Sequence, residues 1–294
     1  MDQTISLSSL QVIAVRYARS HFLGDRHQAL EAYLASDAYG AAGVPVDLAE
    51  PRIPADDLGE EDPVTRGALC GAIAGVVGPA RRAGKAILMT GSNCHAAPGV
   101  LGGLQDAHGP GARIGLVWFD AHGDFNTPRT TLTGSLGGMP VAVCAGLAHP
   151  AWREAAHIAA PLPTDRLVMT DLRNLDPAEK TLIEATDAVV VDLAGLEDAV
   201  ATLAERVDMI CLHVDADILD EAYVPSHRTR EPGGPDMAQV LAAIETVMAT
   251  GKVVAYAVVS VYFEGQDAEV DLASGVSLVR GGLAAWRRHG MPRF

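Results

Sequence analysis

The sequence predicts an α/β fold in which helices cover both faces of a mostly parallel central sheet. Short, almost continuously apolar runs alternate along the chain with longer Ala- and Leu-rich stretches. A strand buried on both faces loses the apolar/polar alternation of a half-exposed strand, so these runs are typical of a doubly covered sheet. Strands that alternate with helices form βαβ units, whose strands are parallel. Polar clusters follow the apolar runs, as expected where ligands bind beyond the carboxyl ends of the strands.

The individual elements are predicted from these runs and from the helix and turn signals between them. Seven apolar runs are predicted strands, at residues 11–17, 85–90, 116–119, 166–170, 188–191, 209–214 and 253–261. Helices are predicted at 25–34 and 63–83, and the second ends near a basic pair, which a helix C-terminus favours. The stretch 44–63 contains four prolines and several acidic residues, which predicts an exposed loop.

The length and net charge of the chain indicate which partners and how many domains to expect. The chain has 294 residues and a formal net charge of −15 at pH 7, which argues against binding to nucleic-acid phosphates because that requires a basic face. No apolar run reaches the roughly eighteen residues of a membrane span, and the first residues lack the pattern of a signal peptide. We therefore expect a cytoplasmic protein without nucleic-acid or membrane partners. Because no linker or repeat interrupts it, we expect one domain over residues 1–294.

The four cysteines are widely spaced, as expected for a protein of the reducing cytoplasm. Cys70, Cys94, Cys144 and Cys211 have no regular spacing, which indicates reduced thiols rather than a disulfide framework. We expect Cys70, Cys144 and Cys211 to fill the core.

The strand predicted at 116–119 ends in a polar cluster. Asp120, His122 and Asp124 stand two residues apart, so an extended backbone would direct all three side chains to one face. Carboxylates and an imidazole gathered at one point attract a divalent cation. A polar turn that merely stops the strand is the alternative for this cluster taken alone.

A second cluster repeats this arrangement after the strand predicted at 209–214. Asp215 and Asp217 are again two residues apart, and buried like charges require a cation between them. The two clusters together supply four carboxylates and one imidazole, a donor set that suits manganese or a similar divalent ion. A site of this kind with two ions can acidify a water molecule held against an electrophilic carbon.

The two clusters resemble the signature motifs of the ureohydrolase family, which includes arginase, agmatinase and formimidoylglutamase. The matching runs are D-A-H-G-D-F-N-T from Asp120 and H-V-D-A-D-I-L-D from His213, and the similarity extends from Gly91 to about Gly234. The resemblance implies a three-layer α/β/α sandwich, a binuclear manganese centre and hydrolysis of a guanidino compound to urea and an amine. It also implies a homo-oligomer, a trimer or a hexamer.

The resemblance also implies roles for individual residues. One ion would be held by Asp120, His122, Asp215 and Asp217, and the other by a set that includes Asp120, Asp124 and Asp215. Asp120, Asp124 and Asp215 are therefore the expected catalytic residues.

The remaining family ligand, a histidine, is replaced by Cys94 in the run G-S-N-C from Gly91. His95 comes one residue late, and on an extended backbone it would point to the other face. A thiolate is a softer ligand than an imidazole and would leave a second manganese ion loosely held or absent. Alternatively, Cys94 is an uncharged part of the pocket wall.

Two further positions depart from the family pattern. Gly137 stands where arginases carry a histidine thought to shuttle protons, and Ser260 stands where the family usually has an acid that binds the guanidinium. Glu264 could substitute for that acid or could simply be solvated. Cys94 and the run N-T-P-x-T-T-x-T-G-x-L-G-G-M from Asn126 also resemble a branch of the family that acts on hydroxyguanidines. A hydroxylamine leaving group is less basic than an alkylamine, so it needs less help from a general acid.

Four other positions match family residues that contact the substrate, namely Asn126, Thr133, Asp176 and Thr229. Asn126 and Thr133 could bind a carboxylate, and Asp176 could bind an ammonium group. Each of the four could instead be an ordinary turn or cap residue. Arg228 and Arg230, beside Thr229, could meet an acidic substrate or form ion pairs at the surface.

The leading hypothesis is a manganese-dependent amidinohydrolase with a small guanidino or hydroxyguanidino substrate and one or two Mn²⁺ ions. A second possibility is hydrolysis of a different amidine or amide, since a single-ion centre also suits such reactions. A third is a metal-binding homologue that has lost catalysis, which the replacements at Cys94, Gly137 and Ser260 favour.

Overall fold

Eight strands form one central sheet in the computed structural model, which describes residues 4–18, 21–53 and 62–293. The strands are β1 (Leu10–Val15), β2 (Val46–Ala49), β3 (Ala86–Gly91), β4 (Ile114–Phe119), β5 (Leu167–Thr170), β6 (Val189–Val191), β7 (Met209–Asp215) and β8 (Val253–Val259). Their order across the sheet is β2-β1-β3-β8-β7-β4-β5-β6, and all neighbouring pairs are parallel. The predicted parallel sheet is therefore confirmed.

Helices cover this sheet on both faces. Those in the described residues are α1 (Gln28–Ala35), α2 (Pro63–Arg82), α3 (Ala97–His108), α4 (Pro140–Cys144), α5 (Pro150–Ala155), α6 (Pro177–Glu184), α7 (Leu196–Arg206), α8 (Met237–Met248) and α9 (Ala268–His289). Helices α2 to α6 contribute to one apolar core, and α1 and α7 to α9 contribute to the other. The chain is thus a three-layer α/β/α sandwich. None of the described helices combines the length and the apolarity that crossing a membrane requires.

The inner strands are almost continuously apolar because they contribute side chains to both cores. Ile13 and Val15 on β1 pack into the core under α2 to α6, whereas Val12 and Ala14 pack into the core under α1 and α7 to α9. Successive side chains of a strand point to opposite faces, so a strand covered on both sides has no polar face.

The seven predicted strands are all present, with boundaries that differ by a few residues. Strand β2 (Val46–Ala49) was not predicted, because it falls in the stretch 44–63 that was interpreted as a loop. It is an edge strand that pairs only with β1, and Val46 and Leu48 are 37% and 44% exposed. An exposed edge strand between prolines lacks the apolar run by which the buried strands are recognised. Residues 54–61 of the predicted loop lie outside the described residues.

The central strands β3, β8, β7 and β4 are neighbours, and their carboxyl ends lie along one edge of the sheet. The polar residues that follow these four strands are therefore brought together, although the strands are far apart in the sequence. This is the position in which parallel α/β sheets bind their ligands.

Close packing of α3 fixes the segment that carries Cys94, because α3 begins directly after the short 3₁₀ helix Cys94–Ala96. Gly102 on α3 lies against the backbone of Ala156, and a Cβ atom there would overlap the Ala156 carbonyl oxygen. A side chain at this position would force two backbones apart.

We expect Gly102→Ala to lower the free energy of unfolding by about 1–3 kcal/mol, the usual cost of overpacking a core. The matched control is Gly75→Ala on α2, because a Cβ atom at Gly75 meets no atom within 4 Å. That change should raise stability by about 0.5–1 kcal/mol, since alanine is the better helix former. Urea denaturation measures both, and equal effects would contradict the packing argument.

Candidate metal centre

A cavity of about 560 Å³ opens at the carboxyl ends of the central strands. All of the predicted metal ligands and substrate-contacting residues line it, namely Cys94, Asp120, His122, Asp124, Asn126, Thr133, Asp176, Asp215, Asp217 and Thr229. The structure thus brings together residues from both sequence motifs and from four loops. The first requirement of the predicted site, that the two aspartate clusters meet, is fulfilled.

One close group joins the two motifs. His122 Nδ1 lies 3.3 Å from Asp120 Oδ1 and 3.1 Å from Asp217 Oδ2. Asp120 and Asp217 are each only 1% exposed, and they follow the neighbouring strands β4 and β7. Their ligand atoms lie within 4.8 Å of one another, so one divalent cation could contact all three side chains.

Cys94 belongs to a second close group, with Asp120 and Asp215. Its Sγ lies 2.8 Å from Asp215 Oδ2 and 3.6 Å from Asp120 Oδ2. Burial and the surrounding carboxylates raise the pKa of the Cys94 thiol well above its usual value, so without a cation the thiol donates to Asp215. His95 also lines the cavity, but its Nε2 lies 3.0 Å from Arg66 Nη1, and it belongs to none of the close ligand groups in the described residues. The choice of Cys94 over His95 agrees with this placement, although the segment is a 3₁₀ turn rather than an extended strand.

Asp124 reaches the cavity by a different route from the one predicted. Its φ is 47°, in the left-handed region, so the extended path from Asp120 ends there. Asp124 lines the cavity, but its carboxylate belongs to none of the close ligand groups found in the described residues. The assumption of an extended backbone was therefore wrong for Asp124, whereas the side chains of Asp120 and His122 do meet.

A third close group contains His227, which was not predicted. Asp215, Asp217 and His227 offer ligand atoms within 4.8 Å of one another, and all three are buried. His227 lies in the loop after β7, two residues before the predicted Thr229. This loop consists of turns and not of extended chain, so no alternation in the sequence could have identified His227.

His213 was also missed, although the alternation of β7 places it on the same face as Asp215. It pairs in register with Trp118 of β4, and the two rings stack with centroids 3.7 Å apart. His213 Nε2 lies 3.2 Å from Cys94 Sγ. Burial lowers the pKa of His213 to about 3, so its imidazole is neutral and supports Cys94 from beneath the cavity.

The electrostatics of the cavity favour a cation. Burial and the neighbouring carboxylates raise the pKa values of Asp120 and Asp124 well above the usual range. Burial alone would lower the pKa of His122, but its interactions with Asp120 and Asp217 outweigh burial and raise it to about 12. Burial likewise opposes ionisation of Asp215, yet His227, the Asp217 N–H and Cys94 lower its pKa overall. More negative charge is gathered here than the protein itself neutralises.

Comparison with known proteins identifies the family. The sequence profile described as Arginase family matches residues 24–274 of the chain. This chain belongs to the arginase family. The resemblance inferred from the two aspartate motifs is therefore confirmed.

Individual members of the arginase family are distant relatives of the chain. The arginase of Eremothecium gossypii is 30% identical over 191 residues, which cover 61% of this chain and 47% of that protein. The N(omega)-hydroxy-L-arginine amidinohydrolase of Streptomyces lavendulae is 31% identical over 134 residues, 46% of each chain. The chain thus spans about half the length of these relatives.

A solved arginase structure shares the fold. The arginase of Bacillus caldovelox superposes with a TM-score of 0.80 over 95% of this chain and 98% of that one, at 22% identity. At this identity the similarity establishes the fold alone, and it agrees with the predicted α/β/α sandwich.

Within this arginase-family site, the positions that depart from the family pattern also face the cavity. Gly137 lines it without a side chain. The Ser260 hydroxyl donates to Asp215 Oδ2 at 2.5 Å, so a neutral group stands where an acid was expected from the resemblance. Glu264 is exposed and lines an adjacent cavity of about 130 Å³, which favours its interpretation as a solvated side chain. Arg230 lies 3.9 Å from Glu221, as expected for a surface ion pair.

Three of the predicted substrate residues, Asn126, Thr133 and Asp176, line the cavity from the loops that follow β4 and β5. We call this side of the cavity the opposite wall. Asn126 Nδ2 and the Leu132 N–H both donate to Asp176 Oδ2, at 3.2 and 3.1 Å. Thr133 is exposed on the same loop. Thr229 lies nearer the aspartates, and its hydroxyl donates to Asp217 Oδ2 at 3.3 Å.

Glu179 connects this wall to the loop after β4 that contains Phe125. The sequence did not predict a role for Glu179. Its two carboxylate oxygens accept from the Phe125 N–H at 2.8 Å and from the Asp176 N–H at 3.2 Å. Glu179 is 3% exposed. It also completes the capping box of α6, and that pattern, an aspartate followed three residues later by a glutamate, is visible in the sequence.

We expect Glu179→Ala to lower the free energy of unfolding by about 2–3 kcal/mol, because it leaves the buried Phe125 N–H and the part-buried Asp176 N–H without an acceptor. Glu184→Ala on the same helix is the control. Glu184 is exposed, so its loss should change stability by no more than about 0.5 kcal/mol. Denaturant unfolding distinguishes the two variants, and a similar small effect for both would refute the bridging role of Glu179.

Proposed function

We propose that this chain is a metal-dependent hydrolase that cleaves a C–N bond of a linear guanidino or hydroxyguanidino compound. The products would be urea and an amine or a hydroxylamine. The observation that carries the proposal is the meeting of Asp120 and Asp217 on His122 Nδ1, at 3.3 and 3.1 Å, in a buried corner of the cavity. Membership of the arginase family supports the same reaction class.

The donor set fits a divalent metal ion. Asp120, His122, Asp215 and Asp217 would hold one ion, and Cys94, Asp120, Asp124 and Asp215 would contribute to a second. Carboxylates with an imidazole suit Mn²⁺, and the buried His227 Nε2 has no hydrogen-bond partner among the described residues, as expected beside a cation site. When bound, a divalent ion supplies positive charge and lowers the pKa of a water molecule so that it can attack carbon.

Residues of this chain hold the carboxylates in position. Asp120 accepts from the Trp118 indole N–H at 3.2 Å and from the His122 backbone N–H at 2.7 Å. Asp215 accepts from the Asp217 N–H at 3.0 Å and from the Ser260 hydroxyl. Such supporting hydrogen bonds fix ligand orientation and contribute to metal affinity.

The opposite wall would bind the far end of the substrate. Asp176 is suited to an ammonium group, and Asn126 and Thr133 are suited to a carboxylate. A cavity of about 560 Å³ lies within the range of roughly 300–1,000 Å³ for small-molecule sites. The relatives named arginase and N(omega)-hydroxy-L-arginine amidinohydrolase support an arginine-like substrate.

The position of Gly137 supports a hydroxyguanidino substrate in particular. Gly137 lines the cavity and provides no side chain that could protonate an amine leaving group. A hydroxylamine is less basic than an alkylamine, so its departure depends less on a general acid.

Ser260 supports a second candidate, hydrolysis of a different amidine or amide. The Ser260 hydroxyl binds Asp215 and adds no charge with which to pair a guanidinium ion. An uncharged amide or amidine would meet that wall more favourably. The same replacement would suit a homologue that binds metal without catalysis.

We expect urea release from a panel of guanidino and hydroxyguanidino compounds to require added Mn²⁺. It should fall by about 1,000-fold or more in Asp120→Ala and in Asp215→Ala, since both remove charge at the reacting centre. The control is Asp208→Asn. Asp208 directly precedes the first residue of β7, at the end of the strand away from the cavity, and it pairs with Arg113.

Product analysis and metal analysis separate the candidates. Full activity of Asp215→Ala would reject the proposed mechanism. Ammonia or a carboxylic acid in place of urea would favour the amidine or amide reaction. Bound metal without turnover of any substrate in the panel would favour the homologue without catalysis.

We expect Cys94→His to increase the manganese content from about one to about two ions per chain, because a neutral imidazole binds Mn²⁺ better than a protonated thiol. Cys94→Ser, which adds no ligand of comparable strength, should leave the content unchanged. Elemental analysis with electron paramagnetic resonance counts the ions and detects coupling between them. Two coupled ions in the parent protein would show that Cys94 does not weaken the second site.

A further inference from the structure

His227 is buried beside the two aspartates of the second motif without a hydrogen bond to satisfy its outer nitrogen. The side chain is 2% exposed. Its Nε2 is buried and has no hydrogen-bond partner in the described part of the chain. A buried polar atom without a partner requires an explanation, and beside two buried carboxylates a bound cation provides one.

The distance between His227 Nε2 and Asp215 is that of two atoms that share a metal ion. Nε2 lies 3.4 Å from Asp215 Oδ1, and one ring nitrogen of His227 lies within 4.8 Å of ligand atoms of Asp215 and Asp217. Two ligand atoms at about 2.0–2.2 Å from one ion are separated by roughly 2.9–3.6 Å at octahedral or tetrahedral angles. A hydrogen bond would bring nitrogen and oxygen to about 2.7–3.2 Å. A shared cation therefore explains this separation better than direct pairing.

The two oxygens of Asp215 face different surroundings. Oδ2 accepts from the Cys94 thiol at 2.8 Å and from the Ser260 hydroxyl at 2.5 Å. Oδ1 faces His227 and accepts the Asp217 N–H at 3.0 Å. An ion on the Oδ1 side would meet an imidazole, whereas an ion on the Oδ2 side would have to displace two hydrogen bonds.

We infer that His227 is a metal ligand and that the tightly held ion of this chain lies on the Oδ1 side of Asp215. Its donors would be the ligands already proposed for that ion, Asp120, His122, Asp215 and Asp217, together with the imidazole of His227. The inference rests on the proposed metal-dependent function, and it adds to that proposal a ligand that neither the motifs nor the family resemblance assigns.

The Thr229 hydroxyl is placed to support ligation through Nε2, whereas the Thr229 N–H donates to Nδ1 only while that atom is unprotonated. The Thr229 N–H lies 3.3 Å from His227 Nδ1, and the Thr229 hydroxyl lies 3.4 Å from the same atom. The N–H can donate to an unprotonated Nδ1, and the hydroxyl can accept from a protonated one. When Nε2 binds a metal, Nδ1 carries the proton, and a partner of this kind fixes the ring.

A second imidazole changes which metal the site prefers. Nitrogen ligands strengthen binding of the later divalent ions, such as Co²⁺ and Zn²⁺, more than binding of Mn²⁺. Replacing His227 should therefore weaken Co²⁺ binding more than Mn²⁺ binding. This selectivity would not follow from a merely structural role for the side chain.

The test compares the parent with His227→Gln and His95→Gln, each loaded with Co²⁺ alone. His95 is a buried histidine that lines the same cavity but pairs with Arg66, so it is the matched control. Competition with a chelator should show Co²⁺ affinity weakened about 10–100-fold or more in His227→Gln, with a smaller change for Mn²⁺. His95→Gln should bind both ions as the parent does.

Proton NMR of the Co²⁺-loaded proteins counts the histidine ligands directly. The parent and His95→Gln should each show two hyperfine-shifted imidazole spin systems, and His227→Gln should show one. Circular dichroism of the metal-free proteins establishes that the variants are folded. If His227→Gln does not fold, the parent labelled with nitrogen-15 histidine and titrated with Zn²⁺ decides the question, because ligation shifts the resonances of two rings.

The outcomes distinguish failure of this inference from failure of the proposed function on which it rests. Unchanged Co²⁺ affinity in His227→Gln, or a single shifted imidazole in the parent, would overturn the role of His227 and leave the metal-dependent hydrolase standing. A parent protein that binds neither Co²⁺ nor Mn²⁺ would overturn both.

Discussion

The structure is organised around buried carboxylates that converge at the ends of neighbouring strands. Asp120, Asp215 and Asp217 are each at most 4% exposed, and like charges in such a position repel one another strongly. In the chain itself, His122 and His227 provide part of the compensating charge. A divalent cation would provide the rest.

The parallel strands and the turns that follow them make this convergence of carboxylates possible. The four central strands are parallel, so their carboxyl ends coincide. Ser92 and Ser260 have φ values of 59° just beyond β3 and β8, and a hydrogen bond from Ser260 N to Ser92 O at 3.0 Å joins the two turns. Left-handed residues other than glycine are uncommon and concentrate at functional sites. At this edge of the sheet they turn the chain sharply enough to place side chains over the strand ends.

The chain keeps the architecture of the arginase family but redistributes the chemistry of its site. A thiol stands where the resemblance implies a histidine, and a serine hydroxyl stands where it implies an acid. Both groups donate to the same oxygen of Asp215. The opposite oxygen faces the imidazole of His227. These positions are coupled through Asp215, so the replacements are best understood as one rearrangement of a shared ligand and not as independent losses.

The sequence by itself determined the parallel sheet and the two aspartate clusters. Both depend on local regularities, because a doubly buried strand is a continuous apolar run and its last residues alternate with a period of two. Asp120 and His122 meet as predicted, and so do Asp215 and Asp217, but residues Ala216–Ile218 form a 3₁₀ helix, so the second pair does not converge through an extended backbone. The family resemblance added Cys94 and the substrate-contacting positions, which have no local pattern of their own.

Only the tertiary structure decided the rest. Strand β2 exists because β1 offers it an edge, Asp124 leaves the extended path in a left-handed turn, and His227 folds inward from a loop that the sequence shows only as polar. The contacts that fix these three features come from residues distant in the chain. Backbone alternation operates over a few residues, whereas loop conformation is set by whatever surface the loop meets, so the second imidazole beside Asp215 could be recognised only after folding.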